Sequence, residues 1–188
     1  MTELMTPLSE RTVRGLKVGD MVYLTGSVVT GRDEMHIRAI ENSRHGRPVP
    51  EGIEGSVLFH CGPIVVRDGG GWKVVAAGPT TSARMDSLEP EMIRRFGIRA
   101  VIGKGGMSKE VGDAMREVGC VYLAAVGGAA VSIAESIVEV CGADWQDLGM
   151  AEAIWRFRTE RMGPLVVAMD SEGNSLYENV RSRLVKDV

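Results

Sequence analysis

Gly78-Pro79-Thr80-Thr81-Ser82-Ala83-Arg84-Met85, followed twenty residues after Arg84 by Lys104 in Ile102-Gly103-Lys104-Gly105-Gly106, is the stretch on which the reading of this chain turns. Apolar runs precede both motifs: Trp72-Lys73-Val74-Val75-Ala76 and Ala100-Val101-Ile102, each with the length and composition of a strand. Residues 89–96 between them carry a helical pattern. Strand, glycine turn and helix in that order put hydroxyls, backbone N–H groups and cations at strand ends. Backbone donors at a helix start favour negative charge, and a guanidinium grips a carboxylate with two parallel hydrogen bonds. A third cation, Arg32, stands in the turn Val29-Thr30-Gly31-Arg32-Asp33. Each glycine-rich turn taken singly is a common loop. Three cationic ones in a single chain point to one pocket for a small anion.

Working outward, the same grammar recurs on both sides. Met21-Val22-Tyr23-Leu24 reads as a strand that Ser27-Val28-Val29 continues beyond Gly26. The arginine turn then opens a helix over residues 33–42, with Asp33 able to cap it and Met35, Ala39 and Ile40 facing inward. Residues 46–55 form a proline- and glycine-rich loop, and Ser56-Val57-Leu58-Phe59-His60 is a strand. Ile64-Val65-Val66 and Trp72–Ala76 flank Asp68-Gly69-Gly70-Gly71 as a hairpin. Further on, residues 107–118 read as a helix, 121–125 as a strand, 129–141 and 150–158 as helices, and 164–169 as a strand. A turn at 170–174 and a last helix over 177–185 complete the chain. A strand-rich first half followed by alternating strands and helices predicts an α/β fold, a mixed sheet flanked by helices. In such sheets ligands gather at the carboxyl ends of strands, and Arg32, Thr80–Arg84 and Lys104 all follow strands. Gly127-Gly128 is a fourth loop of this kind, better suited to close helix–strand packing than to ligand contact.

Composition narrows the partners. At 188 residues the chain is read as one domain, 1–188, long enough to bury a core. A formal net charge of −3 argues against a nucleic-acid partner, which demands a basic face. The longest apolar run, residues 121–134, is too short to span a membrane and is followed by Glu135. Residues 1–5 lack the basic and apolar segments of a signal peptide, so the expected location is cytoplasmic. Cys61, Cys120 and Cys141 form no C-x-x-C or Cys/His pattern, and no metal site is assigned to this chain. Cys141 continues the stripe Ala130, Ile133, Ala134, Ile137, Val138 of the expected helix and is read as a buried core thiol. Cys120 is read likewise, and Cys61, beside Gly62-Pro63, lies near a turn. His45, among Ser43, Arg44, Gly46 and Arg47, belongs to a solvated loop. For His36 and His60 structural roles outweigh catalytic ones.

Taken in order, the motifs resemble the β subunit of iron–sulfur hydro-lyases, the class I fumarase and L(+)-tartrate dehydratase family. The residues that carry the resemblance are Lys17-Val18-Gly19-Asp20, Thr30-Gly31-Arg32-Asp33 with His36, residues 60–63, 78–85 and 102–105, Gly127-Gly128-Ala129-Ala130, and Leu148-Gly149-Met150. The chain departs from the pattern at Glu34-Met35, where small residues are usual, and Gly149-Met150-Ala151-Glu152-Ala153 is a looser match. The resemblance implies a swivelling β/β/α domain and the reversible anti addition of water to fumarate, giving L-malate, or the dehydration of tartrate. It implies a [4Fe-4S] cluster borne by a partner α subunit, since this chain lacks the thiolates, and a hetero-oligomer with two of each subunit. It assigns Arg32, Arg84 and Lys104 to the substrate carboxylates and to the aci-carboxylate formed as the C3 proton leaves. Thr80 becomes the proton-abstracting group, Thr81 positions a carboxylate, and His36 and Asp33 are possible supports. Met150, Trp155 and Met162 are candidates for an apolar face toward the partner, although core packing explains each singly.

Two other classes stay open on the residues alone. A free-standing anion-binding regulatory module would bind its ligand without a partner and without need of Thr80. A phosphate-handling enzyme fits least, lacking a Walker-type lysine motif and an acidic metal pair near the pocket.

Overall fold

The computed structural model describes residues 2–125 and 130–184. The Gly127-Gly128 loop expected at a strand end lies outside the described residues. In chain order the elements are β1 (Thr2–Met5), α1 (Glu10–Arg14), β2 (Met21–Thr30), α2 (Asp33–Arg44), β3 (Val57–Phe59), β4 (Ile64–Asp68) and β5 (Gly71–Ala76). There follow α3 (Glu89–Phe96), β6 (Ala100–Gly103), α4 (Lys109–Val118), β7 (Val121–Ala125), α5 (Ala130–Glu135), β8 (Ile137–Asp144), β9 (Ile154–Met169) and α6 (Leu176–Leu184). The class is mixed α/β, a sheet flanked by helices.

Seven strands form the main sheet in the order β1-β2-β3-β6-β7-β9-β8, and β9 pairs with β2 as well as β7. The pairings of β2, β3, β6, β7 and β9 therefore close into a ring. Its β2–β3, β3–β6 and β6–β7 seams are parallel, and β9 closes it antiparallel on both sides. Side-chain alternation divides the core accordingly. Val57, Phe59, Ala100, Ile102, Val121 and Leu123 point to one side, where they meet Val22, Leu24, Val28, Leu165 and Val167. Leu58, Val101 and Tyr122 point to the other, beneath Met35 and Ile40 of α2, Met92 and Ile93 of α3, and Val111 and Met115 of α4. β4 and β5 form a separate hairpin.

The helices end where their sequences say they should. Pro90 enters at the start of α3 and Gly97 stops it in the left-handed conformation, as Gly119 stops α4. α4 begins at Lys109, two residues later than its apolar pattern suggests, with Ser108 at the cap position.

Two expected helices are corrected. The segment read as a helix over 129–141 is a short helix, α5, followed by the strand β8. Ile137-Val138-Glu139-Val140 is rich in β-branched residues, and these pair with β9 at the edge of the sheet. Cys141 is consequently exposed, not buried. The segment read as a helix over 150–158 contains the start of β9, a strand of 16 residues. There Trp155, Phe157 and Thr159 are buried while Arg158 and Glu160 are exposed, a period of two. Trp155 and Met162 are therefore core residues, and of the three suggested interface residues only Met150 is exposed.

Candidate functional site

The carboxyl ends of the parallel strands β2, β3 and β6 converge, and backbone hydrogen bonds stitch their loops to the turn after β5. Cys61 bridges to Pro79, and Thr81 bridges to Lys104. The Thr80 N–H donates to the His60 carbonyl at 2.7 Å and the Lys104 N–H to the Thr80 carbonyl at 3.3 Å. The Ser82 N–H in turn donates to the Lys104 carbonyl at 3.0 Å. Thr80, Thr81 and Lys104, distant in sequence, thus share one short ladder. Arg84 follows on the 3₁₀ turn Ser82–Met85.

Arg32 comes from the other side, at the cap position of α2 in extended conformation. Asp33 is the first helical residue and does not cap the helix with its side chain, contrary to the sequence reading. Its carboxylate is used differently: Asp33 Oδ2 lies 3.0 Å from an Arg84 Nη2 and 3.9 Å from Arg32 Nη2. The helix start is capped instead by Glu152, whose Oε2 accepts from the Glu34 N–H at 3.0 Å. The other oxygen of Glu152 is 3.3 Å from Arg32 Nε. Gly62 leaves room for this arrangement, since a Cβ there would stand 2.9 Å from Arg32 Nη1 and 3.0 Å from the Ala151 Cβ.

The electrostatics of this mouth are loosely committed. Arg32 Nε and Asp33 Oδ2 are buried atoms with no well-formed hydrogen bond, so the arginines are held by charge and keep their directional donors available. Arg84 is about half exposed at 53%, and Lys104 is exposed. The ammonium of Lys104 enters no ion pair among the described residues, so its backbone, not its charge, ties it to the turn.

Beneath the mouth lies a fully buried polar cluster that sequence reasoning found only in part. His36, on α2, and His60, after β3, both place Nε2 on Glu89 Oε2, at 2.9 and 3.0 Å. His60 Nδ1 is 2.9 Å from Ser82 Oγ, which also receives the Tyr122 hydroxyl at 2.9 Å. His36 Nδ1 meets the Arg32 carbonyl at 2.7 Å. The sequence makes His36 a possible support for Arg32; its structural contact is with the Arg32 backbone carbonyl, not with the guanidinium. Glu89 and Ser82 were missed because a carboxylate in a helix's first turn, and a serine between a threonine and an alanine, carry no distinctive spacing. Glu152 sits in a segment the sequence matches only loosely. His45 is exposed at the end of α2, in agreement with a solvated position.

The cysteines do not fit a cluster. Cys61 follows β3, Cys120 precedes β7 and Cys141 lies in β8, and Cys61 and Cys120 are buried. Burial pushes the Cys61 thiol up to about 12, against a smaller opposing pull from Arg32. Burial likewise raises Cys120 well above the ordinary thiol value. Among the described residues, the one group of potential metal ligands close together is His36, His60 and Glu89. It offers nitrogen and oxygen, not the thiolates an iron–sulfur cluster takes. No step of the chemistry is therefore assigned to a cluster within this chain.

Comparison with known proteins places these residues in context. The sequence model of a family described as "Fumarase C-terminus" matches residues 1–180. A putative L(+)-tartrate dehydratase subunit beta from Methanocaldococcus jannaschii is 44% identical over 178 residues, which cover 94% of this chain and 91% of that protein. A putative class I fumarate hydratase from Geobacillus stearothermophilus is also 44% identical over 178 residues, covering 94% of this chain but 34% of its own longer one. The L(+)-tartrate dehydratase subunit beta of Escherichia coli K12 is 40% identical over 173 residues, 92% of this chain and 85% of that protein.

Proposed function

Because the chain belongs to the fumarase C-terminus family, we propose that it is the β subunit of a two-subunit class I hydro-lyase that reversibly hydrates fumarate to L-malate. The observation that carries the reading is the convergence of Arg32 and Arg84 on one carboxylate, Asp33, beside the Thr80–Lys104 ladder. Two guanidinium groups and an uncommitted ammonium at one mouth suit a ligand with two carboxylates. The proposed unit is a single swivelling domain over residues 1–188.

In this reading Arg32 and Arg84 each take a substrate carboxylate in place of the contacts they make with Asp33 and Glu152. Lys104 adds positive charge where negative charge develops as the C3 proton leaves malate. The Thr80 hydroxyl moves that proton, and Thr81 orients the neighbouring carboxylate. A threonine hydroxyl is a poor base at neutral pH, so its role depends on the surrounding cations. Both neighbours of Thr80 in the ladder hold its backbone, which fixes where the hydroxyl stands.

The [4Fe-4S] cluster implied by the resemblance is assigned to an α subunit, since the thiols of this chain do not fit it; when bound there it supplies Lewis acidity to the substrate. Subunit-beta naming of the relatives from Methanocaldococcus jannaschii and Escherichia coli supports such a partner. So does a groove where Val66, Val75, Val131 and Val138 stand 42%, 48%, 62% and 44% exposed, an apolar face of the kind partners cover. We place the assembly in the cytoplasm with two copies of each subunit.

The same chemistry would serve L(+)-tartrate, which differs from malate by one hydroxyl, and two of the relatives are named for that substrate. Steady-state kinetics of the anaerobically co-purified, iron-containing complex on fumarate, L-malate and L(+)-tartrate decides between them. A higher kcat/KM on fumarate and L-malate supports the reading. Turnover of tartrate alone moves the substrate, and turnover of none with an iron-loaded partner overturns it.

A further inference from the structure

Glu89, in the first turn of α3, is completely buried together with His36 and His60, and among the described residues no lysine or arginine pairs with it. The directions of the hydrogen bonds follow from atoms that can only accept. The Arg32 carbonyl is such an atom, so His36 Nδ1 donates to it at 2.7 Å. An ionised Glu89 is another, so His36 Nε2 also donates, and His36 carries both protons. His60 Nε2 donates to the same Glu89 oxygen, and in the neutral ring Nδ1 accepts from the Ser82 hydroxyl, whose oxygen accepts from Tyr122. The cluster then holds one imidazolium, one carboxylate and one neutral imidazole; both rings use Glu89 Oε2, and Glu89 Oε1 is buried with no hydrogen-bond partner among the described residues.

The titration directions agree. Burial pulls His36 down, but the charge and hydrogen bond of Glu89 and the Arg32 carbonyl outweigh it and leave the pKa raised. For His60 burial dominates and lowers it, despite Glu89. Burial would raise Glu89, yet the two histidines hold it at about 2.

We propose that Glu89 is a positioning residue for the substrate-binding arginines: through the two imidazoles it ties the backbone of Arg32 to the Ser82–Met85 turn that carries Arg84, and so sets the separation of the two guanidinium groups. His60 holds that turn twice, because its carbonyl also receives the Thr80 N–H. The other side-chain link between these two turns is the partly exposed Asp33, which pairs with Arg84 and Arg32. The proposal rests on the reading of Arg32 and Arg84 as carboxylate-binding groups.

Glu89→Gln keeps the shape and removes the charge, and Ser82→Ala cuts the same chain at a neutral link. In the complex with the iron-bearing partner, Glu89→Gln should raise KM for fumarate about ten- to a hundredfold, the scale at which misplacement by about 1 Å is felt, with a smaller change in kcat. Glu89→Asp should restore part of the loss, and Ser82→Ala should shift KM the same way by less. In the isolated chain, ¹⁵N spectra should show one imidazolium and one neutral Nε2–H ring, and Glu89→Gln should move the Nε resonances of Arg32 and Arg84. A folded Glu89→Gln with unchanged KM and unchanged arginine resonances overturns the proposal, even when Arg84→Ala is inactive and the functional reading stands. If the wild-type complex lacks hydro-lyase activity, that reading falls and the arginine resonances alone decide the positioning role. If Glu89→Gln does not fold, Ser82→Ala decides by the same readouts. Stoichiometric zinc that co-purifies with the chain and is lost in Glu89→Gln would overturn the proton assignment.

Discussion

Two carboxylate–cation pairs a few residues apart behave in opposite ways. Glu89 with His36 is sealed from solvent, and both His36 nitrogens donate when Glu89 is ionised. Asp33 with Arg84 is open, with side chains 26% and 53% exposed, and holds by charge without a well-formed hydrogen bond at Asp33 Oδ2. An exposed ion pair is worth about 0–1 kcal/mol, whereas removing one partner of a buried pair costs about 3–5 kcal/mol. The open pair can therefore be exchanged for a substrate carboxylate at little cost, while the sealed pair cannot be exchanged at all. Asp33 keeps Arg84 and Arg32 facing one another. On the proposed function, recognition falls to the weak pair and shape to the strong one.

That division can be broken at its most sensitive point by Thr80→Ala. Loss of a positioned proton-transfer group costs about 10²–10⁴ in rate, so kcat of the complex should fall by that factor while KM stays near wild type. A kcat near wild type would remove Thr80 from the chemistry. Arg84→Ala strikes the exchangeable pair itself. Its expected loss is about 2–5 kcal/mol, roughly 30- to several-thousand-fold in kcat/KM, with thermal stability of the chain barely changed. Unchanged kinetics would show that the open pair has no part in binding.

Gly103→Ala tests the sealed side. A Cβ at that position would stand 1.9 Å from Ser82 Oγ and 2.9 Å from the Tyr122 hydroxyl, so the buried chain must shift to admit it. Overpacking of this kind costs about 1–3 kcal/mol, read as a lower midpoint in urea. An unchanged midpoint would mean that the cluster is less rigid than described.

The smallest effect is the pH dependence of stability. His36 is raised above 6.5 in the folded chain, so its contribution is complete below 6.5 and is lost as pH climbs through the raised value. His60 is lowered below 6.5, so stability is lost as pH falls from 6.5 toward its folded value. Glu89 contributes above 4.5 and loses that contribution as pH falls toward about 2. Asp33 faces both histidines, and Asp86, Cys120 and Tyr122 lie in the field of Glu89. Urea titrations should therefore give greatest stability near pH 6.5, with slopes of no more than about 1.4 kcal/mol per pH unit for each proton, and Glu89→Gln should flatten the profile. A wild-type profile flat from pH 5 to about 8 would contradict the assigned charges.

How much of this could be read from the sequence follows the same division. The mouth is written in local strings: glycine turns after β2 and β6 put Arg32 and Lys104 at one end of the main sheet, and the turn after the hairpin strand β5, which carries Thr80 and Arg84, is brought there by its ladder to His60 and Lys104. The helices α3 and α4 carry their glycine stops in their own sequence, whereas α2 takes its N-terminal cap from the distant Glu152; the buried faces of all three follow from spacing. β8 and β9 were misread because an apolar stripe of short length fits both periods, and only pairing with neighbours decides between them. In β9 the alternation Trp155-Arg156-Phe157-Arg158-Thr159-Glu160 was available as a strand signal. Glu89 could not be found from spacing at all, since its partners His36 and His60 lie 53 and 29 residues away.

The most direct test of the account is the rate of fumarate hydration by the chain alone and by the chain co-purified anaerobically from its native cells. The account predicts no turnover by the isolated chain and turnover only in material that contains an iron-bearing partner, slowed about 10²–10⁴-fold in both directions of the reaction by Thr80→Ala. Fumarate turnover by the isolated chain, or none in an iron-loaded complex, would contradict it.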